Sequence, residues 1–309
     1  MSAPVTISVD AMGGDAAPGI VVDGVRLAHE RLPHVHFLLF GDAPRVEALL
    51  DRQPHLKAVC TVRHTDEAVA NEDKPSQVLR NGRRSSMWLA VDAVHKGEAA
   101  GVVSAGNTGA LMAISKFVLR TLPGIDRPAI AGLFPTVRGE TVMLDLGANV
   151  DCDANNLFQF AVMGEVFARA VLGLENPTIG ILNVGAEELK GNEAVKSAAT
   201  RIRESGLPIR FHGFVEGNDI CEGTVDVVVT DGFTGNIALK TAEGTVRLYS
   251  TLLREGFKNS LLAKVGYLFA QHALTKVKVR IDPRRYNGAM FLGLNGIAVK
   301  SHGGTDAFG

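Results

Sequence analysis

The chain has 309 residues, 46% of them hydrophobic, with 32 Lys and Arg against 33 Asp and Glu. That length and apolar content allow one large α/β domain or two lobes around sizeable cores, and a net charge of −1 provides no global field to attract nucleic acid. Cys60, Cys152 and Cys221 are widely spaced without a C-x-x-C pair, which argues against a disulfide framework or zinc site and predicts small core residues in a reducing compartment.

The N-terminus enters a strand pattern directly, and no apolar run reaches the ~18 residues of a membrane span, so a soluble cytosolic chain is expected. Val5 to Val9 is β-branched and alternating, and "GIVVDGVRLAHERL" carries a helical stripe at Ile20, Val21, Val25, Leu27 and Leu32. Between them "VDAMGGD" is a strand-to-helix loop. Asp10 and Asp15 there suit a helix or turn cap, and Gly13 and Gly14 suit a positive φ or close approach of backbone to a ligand.

Four later stretches repeat this strand, Gly-containing loop and helix: Ala100 to Val118, Val142 to Gly164, Ile179 to Ala198 and Val225 to Gly244. Strands alternating with helices predict a largely parallel sheet covered on both faces, with ligands at the loops beyond the strands' carboxyl ends. Two stretches resemble each other. "GEAAGVVSAGNTG" (Gly97 to Gly109) aligns without gaps on "GTVDVVVTDGFTG" (Gly223 to Gly235), which predicts two pseudo-duplicated lobes bringing two such loops to one cleft.

The P-loop, the G-x-G-x-x-G fingerprint after the first strand and H-E-x-x-H are all missing from the sequence. What remains is hydroxyls and backbone N–H groups at helix starts, which suit a phosphate-like anion. Ser104, Asn107 and Thr108 supply donors on one side, and Thr230, Thr234 and Asn236 on the other; helix capping is the competing role for one residue in each loop. Asn149 and Asn183, on two further loops, join the expected substrate-binding set. In "NVGAEELKGNEAV", Lys190 precedes Gly191 and Asn192 at a helix start, and Lys240 lies one turn past Asn236, within reach of the same loop. Lys190 reads either as an anion ligand or as a solvated surface lysine.

From Leu252 to Arg280, Leu253, Phe257, Leu261, Val265 and Phe269 recur at fourfold spacing with Arg254, Lys258 and Lys264 alongside. This predicts an amphipathic helical hairpin over 251–280 broken at Gly266, with Val265, Tyr267, Leu268 and Phe269 at its tip. A dimer core is the competing role for the stripe. Thr251 to Arg285 carries eight Lys or Arg against Glu255 and Asp282, a basic segment suited to docking an acidic partner.

The blocks "VDAMGGD", "SAGNTGALMA", "GIDRPAIA", "LDLGANVDC", "LNVGAEELKGNE", "VVVTDGFTGNIALKT" and "SHGGTD", in this order, closely resemble the phosphate acyltransferase (PlsX) family of bacterial phospholipid synthesis. The resemblance runs from about Val5 to Thr305. It departs at the C-terminus: members continue into another helix beyond the His-Gly block, and this sequence stops at Gly309. The resemblance implies a three-layer α/β/α fold, similar to isocitrate and isopropylmalate dehydrogenases and to phosphotransacetylases, as one catalytic domain of two intertwined lobes over 1–309 in a homodimer.

The implied reaction transfers a long-chain acyl group from acyl carrier protein to inorganic phosphate, with no metal or nucleotide cofactor. The acyl phosphate would pass to an acyl-phosphate:glycerol-3-phosphate acyltransferase at the membrane, and the family resemblance points to peripheral association with that membrane. Lys190, Asn192, Asp231 and His302 are expected as the catalytic set, with Asp10, Gly13, Gly14, Asp15, Ser104, Asn107, Thr108, Asn149, Asn183, Thr234, Asn236 and Lys240 binding substrate. His302 reads equally as proton donor to the leaving thiolate, cap or core histidine. Competing functions are a phosphotransacetylase acting on short acyl-CoA, a dehydrogenase on the same fold and a non-catalytic membrane-surface scaffold.

Overall fold

The computed structural model describes residues 5–309, which fall into two compact units: one running through Gly132 and resuming over Asn287–Gly309, the other Leu133–Tyr286. The first unit begins with β1 (Val5–Asp10), α1 (Gly19–Arg31), β2 (Val35–Gly41), α2 (Ala43–Leu50), α3 (Pro54–Lys57) and β3 (Cys60–His64). It continues through α4 (Pro75–Asn81), α5 (Ser86–His95), β4 (Gly101–Ser104) and α6 (Thr108–Val118) into β5 (Ala129–Thr136), where the chain passes to the second unit.

The second unit holds β6 (Gly139–Leu144), α7 (Ala154–Leu172), β7 (Thr178–Leu182), α8 (Glu193–Glu204), β8 (Arg210–Val215), α9 (Gly217–Glu222) and β9 (Val227–Val229). It ends in the long helices α10 (Gly232–Lys258) and α11 (Leu261–Arg280). The chain then returns to the first unit as β10 (Ala289–Leu292) and β11 (Ile297–Lys300).

Strands of the first unit run in the order β3-β2-β1-β4-β11-β10-β5, and those of the second in the order β6-β9-β7-β8. The pairs β1–β2, β2–β3, β1–β4, β4–β11, β6–β9, β7–β9 and β7–β8 are parallel, and β10 is antiparallel to β11 and β5. The expected largely parallel α/β sheet is therefore present. In the first unit Val9 of β1 packs with Phe37 and Leu39 of β2 and with Val22 and Val25 of α1. Phe134, Met143, Val215 and Val228 form a core cluster of the second. Each such side chain contributes about 1.5–3 kcal/mol through burial.

The internal match also holds structurally. Gly97 follows α5 at φ 74° and Gly223 ends α9 at φ 71°, both in the left-handed region that glycine enters without a Cβ penalty. Each leads into a buried parallel strand, β4 or β9, and then a helix. The helices start differently, because Asn107 caps α6 and Asp231 caps α10.

Three expectations are corrected. Of the two roles expected of Asp10 and Asp15, the turn cap is present, the Asp10 carboxylate accepting the Met12 N–H at 3.3 Å, but neither residue caps α1, whose N-cap is Pro18 without a side-chain hydrogen bond. Cys221 is exposed rather than a core residue. The hairpin breaks at Asn259 and Ser260, not at Gly266: the Ser260 hydroxyl accepts the Ala263 N–H at 3.0 Å and caps α11. A Cβ on Gly266 would meet nothing, so this glycine lies in an open helix interior. Val265, Tyr267, Leu268 and Phe269 consequently lie within α11, and the turn itself is followed by Leu261 and Leu262, 81% and 82% exposed. The rings of Phe257 and Tyr267 meet edge-on across the turn, 5.3 Å between centroids.

Candidate active site

In the first unit β1 ends on Asp10, 2% exposed. One carboxylate oxygen accepts the Ser86 hydroxyl at 2.6 Å and the other the Ser104 hydroxyl at 2.7 Å. The Met12 N–H also donates to it, at 3.3 Å. Burial raises the Asp10 carboxyl above its ordinary pKa, opposed by these hydrogen bonds and by the charge of Lys300. Ser104, expected as an anion donor, thus gives its proton to Asp10 and accepts the Gly106 N–H at 3.1 Å.

Gly14 takes the expected positive φ, whereas the close approach at Gly13 is to the protein's own Asp10 and Gly106. A Cβ on Gly13 would stand 2.6 Å from Asp10 Oδ2 and 2.8 Å from the Gly106 nitrogen, so close approach excludes a side chain. Gly14 has φ 105° and lies against Ala105 and the Gly303 carbonyl. Next to it the Asp15 N–H donates to the Gly303 carbonyl at 3.0 Å, and the Asp15 carboxylate accepts the Asn71 amide at 3.2 Å. Asn107 is a tie rather than an anion donor. Its amide donates to the carbonyls of Ala70, Asn71 and Asp73 at 3.3, 2.9 and 2.9 Å while its oxygen caps Ala110. Thr108, the first residue of α6, is exposed.

His302 follows β11. Its Nδ1 accepts the Gly304 N–H at 3.2 Å, which leaves Nε2 as the proton-bearing nitrogen of the neutral ring. Lys300, two residues earlier, was not singled out by any sequence motif. It ends β11 at the register of Ser104, and burial pulls its pKa down to about 8 against the charges of Asp10 and Asp15. A lysine closing a short apolar strand, next to a glycine-rich loop, is the signal that would have found it.

In the second unit, Asp145 follows β6 and is fully buried. Its carboxylate collects the N–H groups of Gly147, Ala148 and Asn149 at 3.3, 3.1 and 2.6 Å and the Asn149 side-chain amide at 2.9 Å. A nest of backbone donors that would suit an external anion thus holds an internal one. Asn149, expected to bind substrate, gives its amide to Asp145. A Cβ on Gly232 would stand 2.9 Å from Asp145 Oδ2, and one on Gly235 2.0 Å from the Asp145 carbonyl. In each unit, then, a buried aspartate at the end of a strand lies against the duplicated glycine loop.

The remaining second-unit residues divide into scaffold and exposed groups. Asp231 caps α10 and receives both the N–H and the hydroxyl of Thr234, each at 2.8 Å. Asn192 caps α8 through the Val195 N–H at 2.9 Å. The Asn183 amide closes its loop on the carbonyls of Gly185 and Lys190, both at 3.1 Å. Lys240 pairs with Glu243 at 2.9 Å and so extends along α10, not back over the loop. Asn236 is exposed and lies over Gly147. Lys190 is exposed, its ammonium 2.9 Å from Glu187, a hydrogen bond that raises the lysine pKa and lowers that of the glutamate. Capping and loop closure thus account for more of the expected set than one residue per loop.

Among the described residues no helix is long and apolar enough to cross a membrane. The Cys60 thiol, pushed up to about 11 by burial, is disfavoured as a nucleophile.

Residues 5–309 match the family model described as a fatty acid synthesis protein. A protein of Paramagnetospirillum magneticum named phosphate acyltransferase is 79% identical over 309 residues, covering 100% of this chain and 88% of its own length. One of the same name from Rhodospirillum rubrum is 66% identical with the same coverage. Among solved structures, a phosphotransacetylase from Streptococcus pyogenes superposes with a TM-score of 0.65 at 16% identity, covering 99% of this chain and 91% of that one. This last likeness concerns fold alone. The sequence matches identify the chain as a member of the phosphate acyltransferase family, and hence as an acyltransferase enzyme.

Proposed function

We propose that the chain transfers a long-chain fatty acyl group from acyl carrier protein to inorganic phosphate, yielding acyl phosphate for phospholipid synthesis. The name carried by its relatives is the observation that supports this most directly. The chemistry needs little from the protein. Phosphate, like a phosphoserine monoester with its second pKa of about 6, is substantially dianionic near neutral pH, and a thiol of pKa about 8.5 leaves readily as thiolate. Attack of a phosphate oxygen on the thioester carbon forms the C–O bond and breaks the C–S bond. The requirements are an oriented anion and donors for the oxyanion.

Lys190 is the group assigned to the phosphate or the oxyanion, since its ammonium pairs with the exposed carboxylate of Glu187, which an anion can displace. In the same unit Asn236 is a further donor; in the other unit Thr108 and the Nε2–H of His302 are exposed donor groups. Asp10, Ser104, Asn107, Asn149, Asn183, Asn192, Asp231 and Thr234 act through the loops that they tie. The basic, apolar hairpin is assigned to a homodimer contact and to peripheral attachment at the inner face of the cell membrane, where a downstream acyltransferase would receive the product. Incubation with palmitoyl carrier protein is expected to release free carrier only when phosphate is present. Release from acetyl-CoA in place of the carrier protein would instead make the chain a phosphotransacetylase, and no turnover with either would leave a binding scaffold.

A further inference from the structure

Two stretches of the first unit carry basic residues and no acid. Lys74 to Val91 holds Lys74, Arg80, Arg83 and Arg84, and Ala99 to Ile125 holds Lys116 and Arg120. The fold brings the two stretches together, because α6 packs against α4 and α5. Arg84 pairs with Glu67 at 3.4 Å, and the Lys116 ammonium donates to the Asp126 carbonyl at 3.3 Å. Arg83 and Arg120 are exposed and, among the described residues, stand over rings instead of pairing with carboxylates.

The rings and guanidiniums form a continuous row. Arg83 lies 5.9 Å from the centroid of Trp88, the Trp88 and Phe117 centroids are 5.7 Å apart, and Arg120 lies 5.5 Å from the centroid of Phe117. Trp88 is buried, whereas Phe117 is 44% exposed. A guanidinium stacked on a ring is held by its face and keeps its N–H edge for a carboxylate. Arg120 is also pinned through its backbone. It follows Leu119, the C-cap of α6, at φ 67°, the left-handed position that glycine usually takes. Its carbonyl accepts the Asn295 N–H at 3.0 Å beside the Thr121–Leu294 bridge. A glycine position is therefore occupied by a strained arginine stacked on an exposed ring, and strain of this kind collects where a side chain has a task.

We propose that Arg83, Trp88, Phe117 and Arg120 form the docking surface for the carrier protein that delivers the acyl group, the arginines taking carboxylates of its acidic surface and Phe117 supplying the apolar centre of the contact. The proposal rests on the carrier-protein reading above, which assigned the other basic segment, the hairpin, to the dimer and the membrane. Charge complementarity selects the occupant, since two stretches without an acid suit an acidic protein, and arginine and aromatic anchors dominate protein contacts. A nucleic acid would need open ring faces on which to stack its bases, and Trp88 is buried while Phe117 is covered by Arg120. The same helix begins at Thr108, about 14 Å away along its axis, so a carrier held here stands beside that exposed donor group without covering it.

The test uses the full chain with phosphate and either palmitoyl carrier protein or palmitoyl-pantetheine, a donor that lacks the protein. Arg120→Gly suits the left-handed φ and removes the guanidinium, so it should fold at least as stably as wild type in urea titrations; Arg83→Gln is its exposed companion. Together they are expected to raise the KM for palmitoyl carrier protein about tenfold, the effect of losing an interface anchor, with little change in kcat or in turnover of palmitoyl-pantetheine. Rising salt should raise the wild-type KM and affect the double variant less.

An unchanged KM in the folded double variant would overturn the proposal, as would an equal loss with palmitoyl-pantetheine, or a KM that responds instead to Arg254→Gln, Lys258→Gln and Lys264→Gln. Wild-type protein that releases no carrier in response to phosphate would overturn the reading of function. The surface is then decided by calorimetric binding of carrier protein without an acyl group: binding lost in the double variant supports it, and binding kept there, or none to wild type, overturns it.

Discussion

Lys190 and Glu187 are one turn apart and both exposed, and an exposed pair of this kind adds little to stability. That makes Lys190 a clean probe. Lys190→Ala should leave the thermal midpoint nearly unchanged and lower turnover by roughly a hundredfold, the usual effect of removing one anion-stabilising donor. Glu187→Gln removes the competing carboxylate and should lower the KM for phosphate by roughly two- to threefold without lowering kcat. Steady-state kinetics against phosphate check both, and wild-type turnover in Lys190→Ala would remove the lysine from the site. The contrast with Ser104 shows why residue type alone misleads. Ser104 and Thr108 read alike as hydroxyl donors in "SAGNTG", yet β4 delivers Ser104 into a buried bond with Asp10 while Thr108 opens a helix on the surface. Which hydroxyl is free depends on a partner 94 residues away in sequence, and local spacing carries no record of it.

The strand-loop-helix elements were legible because each couples a β-branched run to a turn glycine and then a change of period, all within about twenty residues. The hairpin was misread for an equally local reason. A fourfold apolar stripe continues from Leu253 to Phe269, and the stripe outweighed Ser260, an ordinary N-cap residue that stops α10 and starts α11. Moving the turn changes which side chains are presented. Leu261 and Leu262 now lead from it, while Leu268 and Phe269 lie about two turns into α11, Phe269 being 86% exposed. If the hairpin meets a membrane end-on, Leu261→Glu with Leu262→Glu should abolish co-sedimentation with anionic vesicles, and Leu268→Glu with Phe269→Glu should reduce it less. If the flank of α11 makes the contact, the order reverses. Salt should weaken binding in either case, because the basic residues act on anionic headgroups at about 1 kcal/mol each. Binding indifferent to salt and to both pairs would leave this surface to the dimer.

The order of chain segments across the two units was not legible, because β10 and β11 are only four residues each, β10 pairs antiparallel to β5 and β11, and neither β5 nor β10 leads through a glycine loop into a helix. Their pairing has a consequence for the whole molecule. The first unit is assembled from two distant segments, and β11 lies between β4 and β10 in its sheet. The second unit is one continuous segment, Leu133–Tyr286, with its own parallel strands β6, β9, β7 and β8 and its own buried cluster around Met143 and Val228. Its long helices are also tied internally, since the Arg280 guanidinium at the end of α11 donates to the carbonyls of Thr136 and Val137 at 2.9 and 2.7 Å. Ending the chain after Tyr286 should therefore strike the units unequally. The first unit would lose two strands, leaving β4 without its partner on one side and the partners of Ala129, Ile130 and Ala131 missing from β5. The second would lose none of the strands in its own order. Hydrogen exchange on this truncated chain is expected to keep slow amides in β7 and β9 and to lose protection through β1 and β4. Uniform loss of protection would show that the second unit draws its stability from the first, and uniform retention would show that β10 and β11 are dispensable to the sheet they join.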